Sequence, residues 1–146
     1  MANVALADSF LESLASLDAA DVKRAVNFVD KLVRVPEAAS LRPRIVHDAA
    51  DRSVRSFKVT HDLRAIAHVT GDEIVLLHVA RHDPAYAWAR DRCLSCHAET
   101  RELWLTSIGK GDRPRALVVH ACSSSDELCR LLRNHGIDQY PGGDGI

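Results

Sequence analysis

The run Ile74-Val75-Leu76-Leu77-His78-Val79 constrains the fold more than any other part of this chain. It is apolar at consecutive positions, as expected for a strand covered on both faces at the centre of a sheet. Thr70-Gly71-Asp72 reads as a turn before it, and Asp83-Pro84 breaks the pattern after it, so the strand is expected over Glu73 to Ala80. Two more strands precede it, Val54 to Thr60 and Leu63 to Val69, joined by the tight connection His61-Asp62. The stretch from Arg55 to Trp88 is thus a three-strand meander ending in a polar corner. Pro84 suits the first turn of a helix that is expected to run through Arg92.

The chain before the meander is helical in pattern. Asn3 to Ala7 is a short candidate strand. Ser9 and Glu12 have capping-box spacing, and Phe10, Leu11, Leu14 and Leu17 repeat at helical intervals. Asp18 restarts the pattern, with Val22, Ala25, Val26, Val29, Leu32 and Val33 on one stripe. Pro36 ends it, because the residue before a proline is driven out of helical geometry. Such a hairpin must bury its apolar face, and the meander is the surface available. Glu37 to Arg52 has the composition of a linker. Beyond the meander, Cys93 to His97 and Glu102 to Ile108 form a candidate hairpin around Ala98 to Arg101. Gly109 to Pro114 is a polar loop, and Arg115 to Cys122 is strand-like. Ser124 with Glu127 opens a helix that Gly136 can stop, and Tyr140 to Ile146 reads as a tail.

At 146 residues, 47% hydrophobic and 27% charged, the chain suits one domain, and with 5% aromatics its core must be aliphatic. The expected fold is α+β: a helical hairpin on an antiparallel meander in residues 1–92, with a hairpin, strand and helix in 93–146 packed on the same domain. A net charge of −1 does not favour nucleic-acid binding by charge alone. Locally, Leu41 to Arg64 carries six Lys/Arg against three acids. No apolar run approaches the roughly 18 residues that span a membrane. The N-terminal residues lack the basic start of a signal peptide, so the expected location is the cytoplasm, with reduced thiols. Cys93-Leu94-Ser95-Cys96-His97 has the spacing of a haem attachment site, which requires export, and Met1 is the only methionine that could be an axial ligand. A zinc site from Cys93, Cys96, His120 and Cys122 has plausible ligands, but strand alternation would turn Cys93 and Cys96 to opposite faces. Packed thiols and no cofactor are the expectation.

With two short helices, a loop, then RSFKVTHDLRAIAHV and VLLHVARHDPAYAWA, the chain resembles the RelE/ParE superfamily of toxin–antitoxin systems. The form nearest to it is the RelE-like domain associated with UvrD/Rep-type helicases. The marks are Arg64 on its strand and the corner formed by His82 and Tyr86. The resemblance implies a RelE-like, ribosome-dependent mRNA endonuclease (an mRNA interferase) partnered by an antitoxin. In that reading Arg64 neutralises the scissile phosphate, His82 serves as general acid or phosphate clamp, and Tyr86 stacks on a base or assists proton transfer. Arg55, Lys58 and Arg81 would contact RNA, and Phe57 stands where active members carry a basic residue. The same resemblance allows a non-catalytic accessory domain contacting helicase domains or DNA, or a ParE-like gyrase inhibitor. Fold alone does not choose among them.

Overall fold

In the computed structural model, residues 3–36, 42–96, 102–107 and 114–139 are described. The elements in order are β1 (Asn3–Ala7), α1 (Asp8–Ala15), α2 (Ala19–Arg34), β2 (Arg44–Ile45), β3 (Val54–Lys58), β4 (Leu63–Thr70), β5 (Glu73–Arg81), α3 (His82–Arg90), β6 (Arg92–Cys96), β7 (Leu103–Ser107), β8 (Arg115–Leu117), β9 (Val119–Cys122) and α4 (Ser125–Asn134). The protein is a mixed α+β fold whose sheets are rich in antiparallel pairs. A six-stranded sheet has the order β2-β3-β4-β5-β1-β9, and β6-β7-β8 form a second sheet.

The meander forms as its pattern dictates. Gly71, at φ 55°, takes the left-handed turn between β4 and β5 that L-residues with side chains adopt at a cost. β5 lies inside the sheet, antiparallel to β4 and parallel to β1. One face of the sheet carries Phe57, Ala65, Ala67 and Leu76, which pack with Phe10, Leu14, Val26 and Leu32 of the helical hairpin. Phe28 meets Phe57 with ring centroids 5.7 Å apart. The other face carries Val54 and Ile66, which pack under Ala85 and Ala89 of α3. A bulge between the two registers, Ile66↔His78 and Ala67↔Leu76, leaves Leu77 as an extra residue. Leu77 packs with Ala7, Leu105 and Leu117 beneath the second sheet.

Three local expectations change. Ser9 does not cap α1, which starts directly from β1 with Ala7 as its N-cap and no side-chain capping bond. Ser9 lies inside the helix, and its hydroxyl donates to Leu77 O at 2.6 Å, while Ser13 Oγ accepts from Val79 N at 3.0 Å. The two serines satisfy the edge of β5 where β1 has ended. Second, Arg115 to Cys122 is two strands, not one: β8 pairs with β7, and β9 pairs with β1 in the main sheet. Val118, 58% exposed, is the residue at which the chain changes sheets. Third, the expected linker contains β2, which pairs with β3.

Ser124 caps α4 as expected, accepting from Glu127 N, and Asp18, where the helical pattern restarts, caps α2 by accepting from Asp21 N. The Glu127 carboxylate reaches back to the N–H of Ser123, one residue before the position a capping box uses. Leu128 and Leu132 of α4 enter the main core. The expected turn at Ala98 to Arg101, most of the loop from Gly109, and the tail from Tyr140 lie outside the described residues. Among the described residues no helix is long and apolar enough to cross a membrane.

Candidate functional site

Lys58 ends β3, Arg64 lies near the start of β4, and Arg81 with His82 forms the junction of β5 and α3. All four therefore stand at one end of the meander. Lys58 is directly opposite Arg64, and Arg64 is opposite Ala80. Strand alternation places Lys58 on the face of Val54 and Ser56, and Arg64 on the face of Ile66, which is the α3 side.

The connection between β3 and β4 holds the arginine. Arg64 Nη1 donates to the carbonyls of Thr60, His61 and Leu63 at 2.7, 3.1 and 3.0 Å. Thr60 Oγ1 curls that loop by accepting from Asp62 N and Leu63 N. Among the described residues, Arg64 Nε and Nη2 and the Lys58 ammonium have no partner. Like charges directly opposed on neighbouring strands repel, by about 1 kcal/mol in water at ~5 Å. An anion between them would turn that repulsion into attraction.

His82 N donates to Asp62 O at 2.8 Å, which ties the start of α3 to the same loop. The imidazole Nδ1 lies 2.8 Å from Asp83 Oδ1, leaving Nε2 as the outward nitrogen. Tyr86 follows one turn later, its ring centroid 4.6 Å from that of His82. The Tyr86 hydroxyl and Ser56 Oγ are hydrogen-bonded at 2.9 Å. Ser56 is only 1% exposed, so this bond fixes α3 to β3 and engages the phenol.

The other two basic candidates have guanidinium groups engaged by partners other than the Lys58–Arg64 pair. Arg81 points toward the helical hairpin, 3.5 Å from Asp21 of α2 and 3.8 Å from Asp62. Arg55 sits at the far end of β3 from Lys58, its guanidinium folded onto the carbonyls of Arg52 and Val54. Phe57, 1% exposed, is a core residue on the helical side, so its position does not belong to this corner.

Beside His82 and Tyr86 opens a cleft of about 290 Å³, whose far wall is the segment Ile45 to Asp48, with Arg90 at its end. A second cleft, about 370 Å³, lies between α1, α3 and the small sheet, with Glu12, His78, Trp88, Arg92 and Arg115 on its walls. His78 stacks on Trp88 at 4.5 Å and 4°, and the Arg92 guanidinium lies 4.7 Å from the Trp88 ring centroid. Burial, reinforced by the positive charge of Arg92, pushes the His78 pKa down to about 4. Arg115 is held by Glu12 and Asp8. His68 is also lowered by burial, against the pull of Asp51 3.4 Å away. Asp51, which nothing in the sequence marks, also accepts from Ser53 N and Leu94 N and so joins the loop to β6.

Compared with protein-family models, curated proteins and solved structures, the chain matches none.

The zinc ligands that the sequence allows are divided between sheets. Cys93 belongs to β6 of the small sheet, whereas His120 and Cys122 belong to β9 of the main one. Cys122 is 3% exposed, and burial raises its thiol pKa to about 11. His120 meets His135, with ring centroids 5.3 Å apart. The Cys96 side chain and His97 lie outside the described residues, and among those described no group of three or more His, Cys, Asp or Glu could hold a metal ion. Chemically, the corner at Lys58, Arg64 and His82 offers two cations and one orientated imidazole. That set suits a phosphate.

Proposed function

We propose that this chain is a RelE-like toxin that cleaves mRNA on the ribosome and is held inactive by an antitoxin. The observation that carries the reading is the opposed pair Lys58 and Arg64, with open donors, at the strand end where His82 begins α3. In the reaction, the RNA 2′-oxygen attacks the adjacent phosphorus and the bond to the 5′-oxygen breaks. The 2′ proton goes to water and a 2′,3′-cyclic phosphate is left. Arg64 and Lys58 neutralise the non-bridging oxygens as charge develops on them. His82 in its protonated form donates from Nε2 to the departing 5′-oxygen, with Asp83 orienting the ring through Nδ1. Tyr86 contributes its ring face, since its hydroxyl is engaged by Ser56.

Induction in a bacterium, with growth and bulk translation as readouts, tests this. Wild type should stop translation. Arg64→Ala and His82→Ala should each relieve it, with RNA cleavage falling on the order of a hundredfold or more. Continued growth and translation with folded wild-type protein present would sink the toxin reading.

A second reading is a non-catalytic accessory domain of a UvrD-type helicase. It is favoured by the way Arg55 and Arg81 turn away from the corner and by the engaged Tyr86 hydroxyl. The remaining groups are enough to hold a phosphate without cutting beside it. In that case purified protein binds single-stranded nucleic acid in an Arg64-dependent way and leaves it intact.

A further inference from the structure

The cleft next to His82 and Tyr86 has the form of a slot. One wall is aromatic, with the rings of His82 and Tyr86 one turn apart on α3, their centroids 4.6 Å apart and their planes tilted by 55°. The Ser56 bond keeps the Tyr86 ring from swinging, so the wall is preformed. The opposite wall is aliphatic at its base: Val46 is buried against Ala85 and Ala89, and Ile45 is 61% exposed beside it. Its volume of about 290 Å³ is at the small end of ligand pockets, which run roughly 300–1,000 Å³, and suits a single planar ring system.

The rim carries His47, whose imidazole can donate or accept, and two groups of fixed sense: Asp48, on the 45–48 segment, is a pure acceptor, and Arg90, at the end of α3, is a pure donor. Among the described residues neither side chain has a hydrogen-bond or ion-pair partner, so both are available to a ligand. A ring that satisfies both must offer adjacent donors on one edge and adjacent acceptors on another. Guanine does so: N1–H and N2–H₂ stand side by side on its pairing edge, and N7 and O6 on its other edge. Adenine, cytosine and uracil each mismatch at least one of the two groups.

We propose that this slot reads a guanine, with Asp48 accepting from N1–H and N2–H₂ and Arg90 donating to O6 and N7, while the attached phosphate lies on the Arg64 corner. His82 belongs to both the slot and the corner, which joins the two into one nucleotide site. The inference rests on the phosphate corner of the function proposed above, and it does not depend on cleavage.

The probes are the four ribonucleoside 5′-monophosphates, titrated into the full chain and followed by the ring NMR signals of His82 and Tyr86. GMP should bind at least about tenfold more tightly than AMP, CMP or UMP, the discrimination of one good bidentate contact. Asp48→Asn replaces the double acceptor with one acceptor and one donor on an exposed segment, and should abolish the preference. Arg64→Ala should weaken all four about equally. Equal affinity for the four, shifts confined to other surfaces, or no binding at millimolar nucleotide would each overturn the slot. GMP selectivity without RNA cleavage would remove the nuclease and keep the slot. Cleavage that is indifferent to base and to Asp48→Asn would keep the nuclease and remove the slot.

Discussion

Acidification should unfold this protein partly through His78. The imidazole is stacked on Trp88 and stays neutral, with its pKa lowered to about 4 from an ordinary 6.5. The charged groups facing it across the cleft are Arg92, Arg115 and Glu12. The unfolded chain takes up a proton near pH 6.5, whereas the folded one resists until about pH 4. A depressed histidine therefore contributes stability that is full above pH 6.5 and is lost as the pH falls toward 4. Each unit between the two values is worth about 1.4 kcal/mol, so the loss approaches about 3.5 kcal/mol at the acid limit and is about 2 kcal/mol by pH 5. Urea denaturation of wild type and His78→Gln at pH 7, 6 and 5 measures it. The two chains share His68 and all the carboxylates, so the difference in their slopes isolates His78. Wild type should lose about 2 kcal/mol more than the variant between pH 7 and 5. Parallel curves, or an NMR titration placing His78 near 6.5, would refute the reasoning.

Other substitutions probe the packing around the site. Tyr86→Phe leaves Ser56 buried without a partner and should cost about 1 kcal/mol in urea denaturation, much of it recovered by adding Ser56→Ala. The same Tyr86→Phe chain should keep toxicity in the induction assay, because the ring face remains. Leu76→Ala, at a fully buried position of β5, should lower stability by roughly 2–5 kcal/mol. Asp18→Ala removes the bond to Asp21 N and should cost about 1 kcal/mol, seen as a lower melting midpoint with an unchanged native spectrum.

The elements that the sequence marks well are those fixed by neighbours along the chain. The strands of the meander, the restart of the helical pattern at Asp18, the cap at Ser124 and the pairing of β6 with β7 depend on local pattern, and all are present. What local pattern cannot carry is pairing between distant strands. The parallel partnership of β1 with β5 and the bulge at Leu77 are set by packing on both faces of the sheet. Val118 interrupts a run of strand-forming residues with no glycine or proline to announce the change of sheet. Ser9 has the spacing of a capping residue, but β1 leads straight into α1 and the hydroxyl is used on Leu77 instead. At the site, Arg64, His82 and Tyr86 are marked only by a family resemblance, whereas Lys58 gains its place opposite Arg64 only from the register. Alternation could have separated Arg55 from Ser56, because Arg55 shares the phase of Phe57. Asp48 and Arg90 carry no signal, since periodicity says nothing about a rim residue outside a strand.

The double partnership of β1 also sets an order of assembly. Val4 needs Ile74 on one side and Cys122 on the other. As the chain leaves the ribosome N-terminus first, its earliest strand is thus among the last to be completed. Until β9 arrives, β1 presents an open row of backbone donors and acceptors, the kind of edge on which other chains can pair. A chain cut short at Pro114 would keep the Lys58–Arg64 corner in its sequence but leave that edge permanently bare, and it should self-associate. The last strand is therefore as much a guard against misassembly as a part of the sheet.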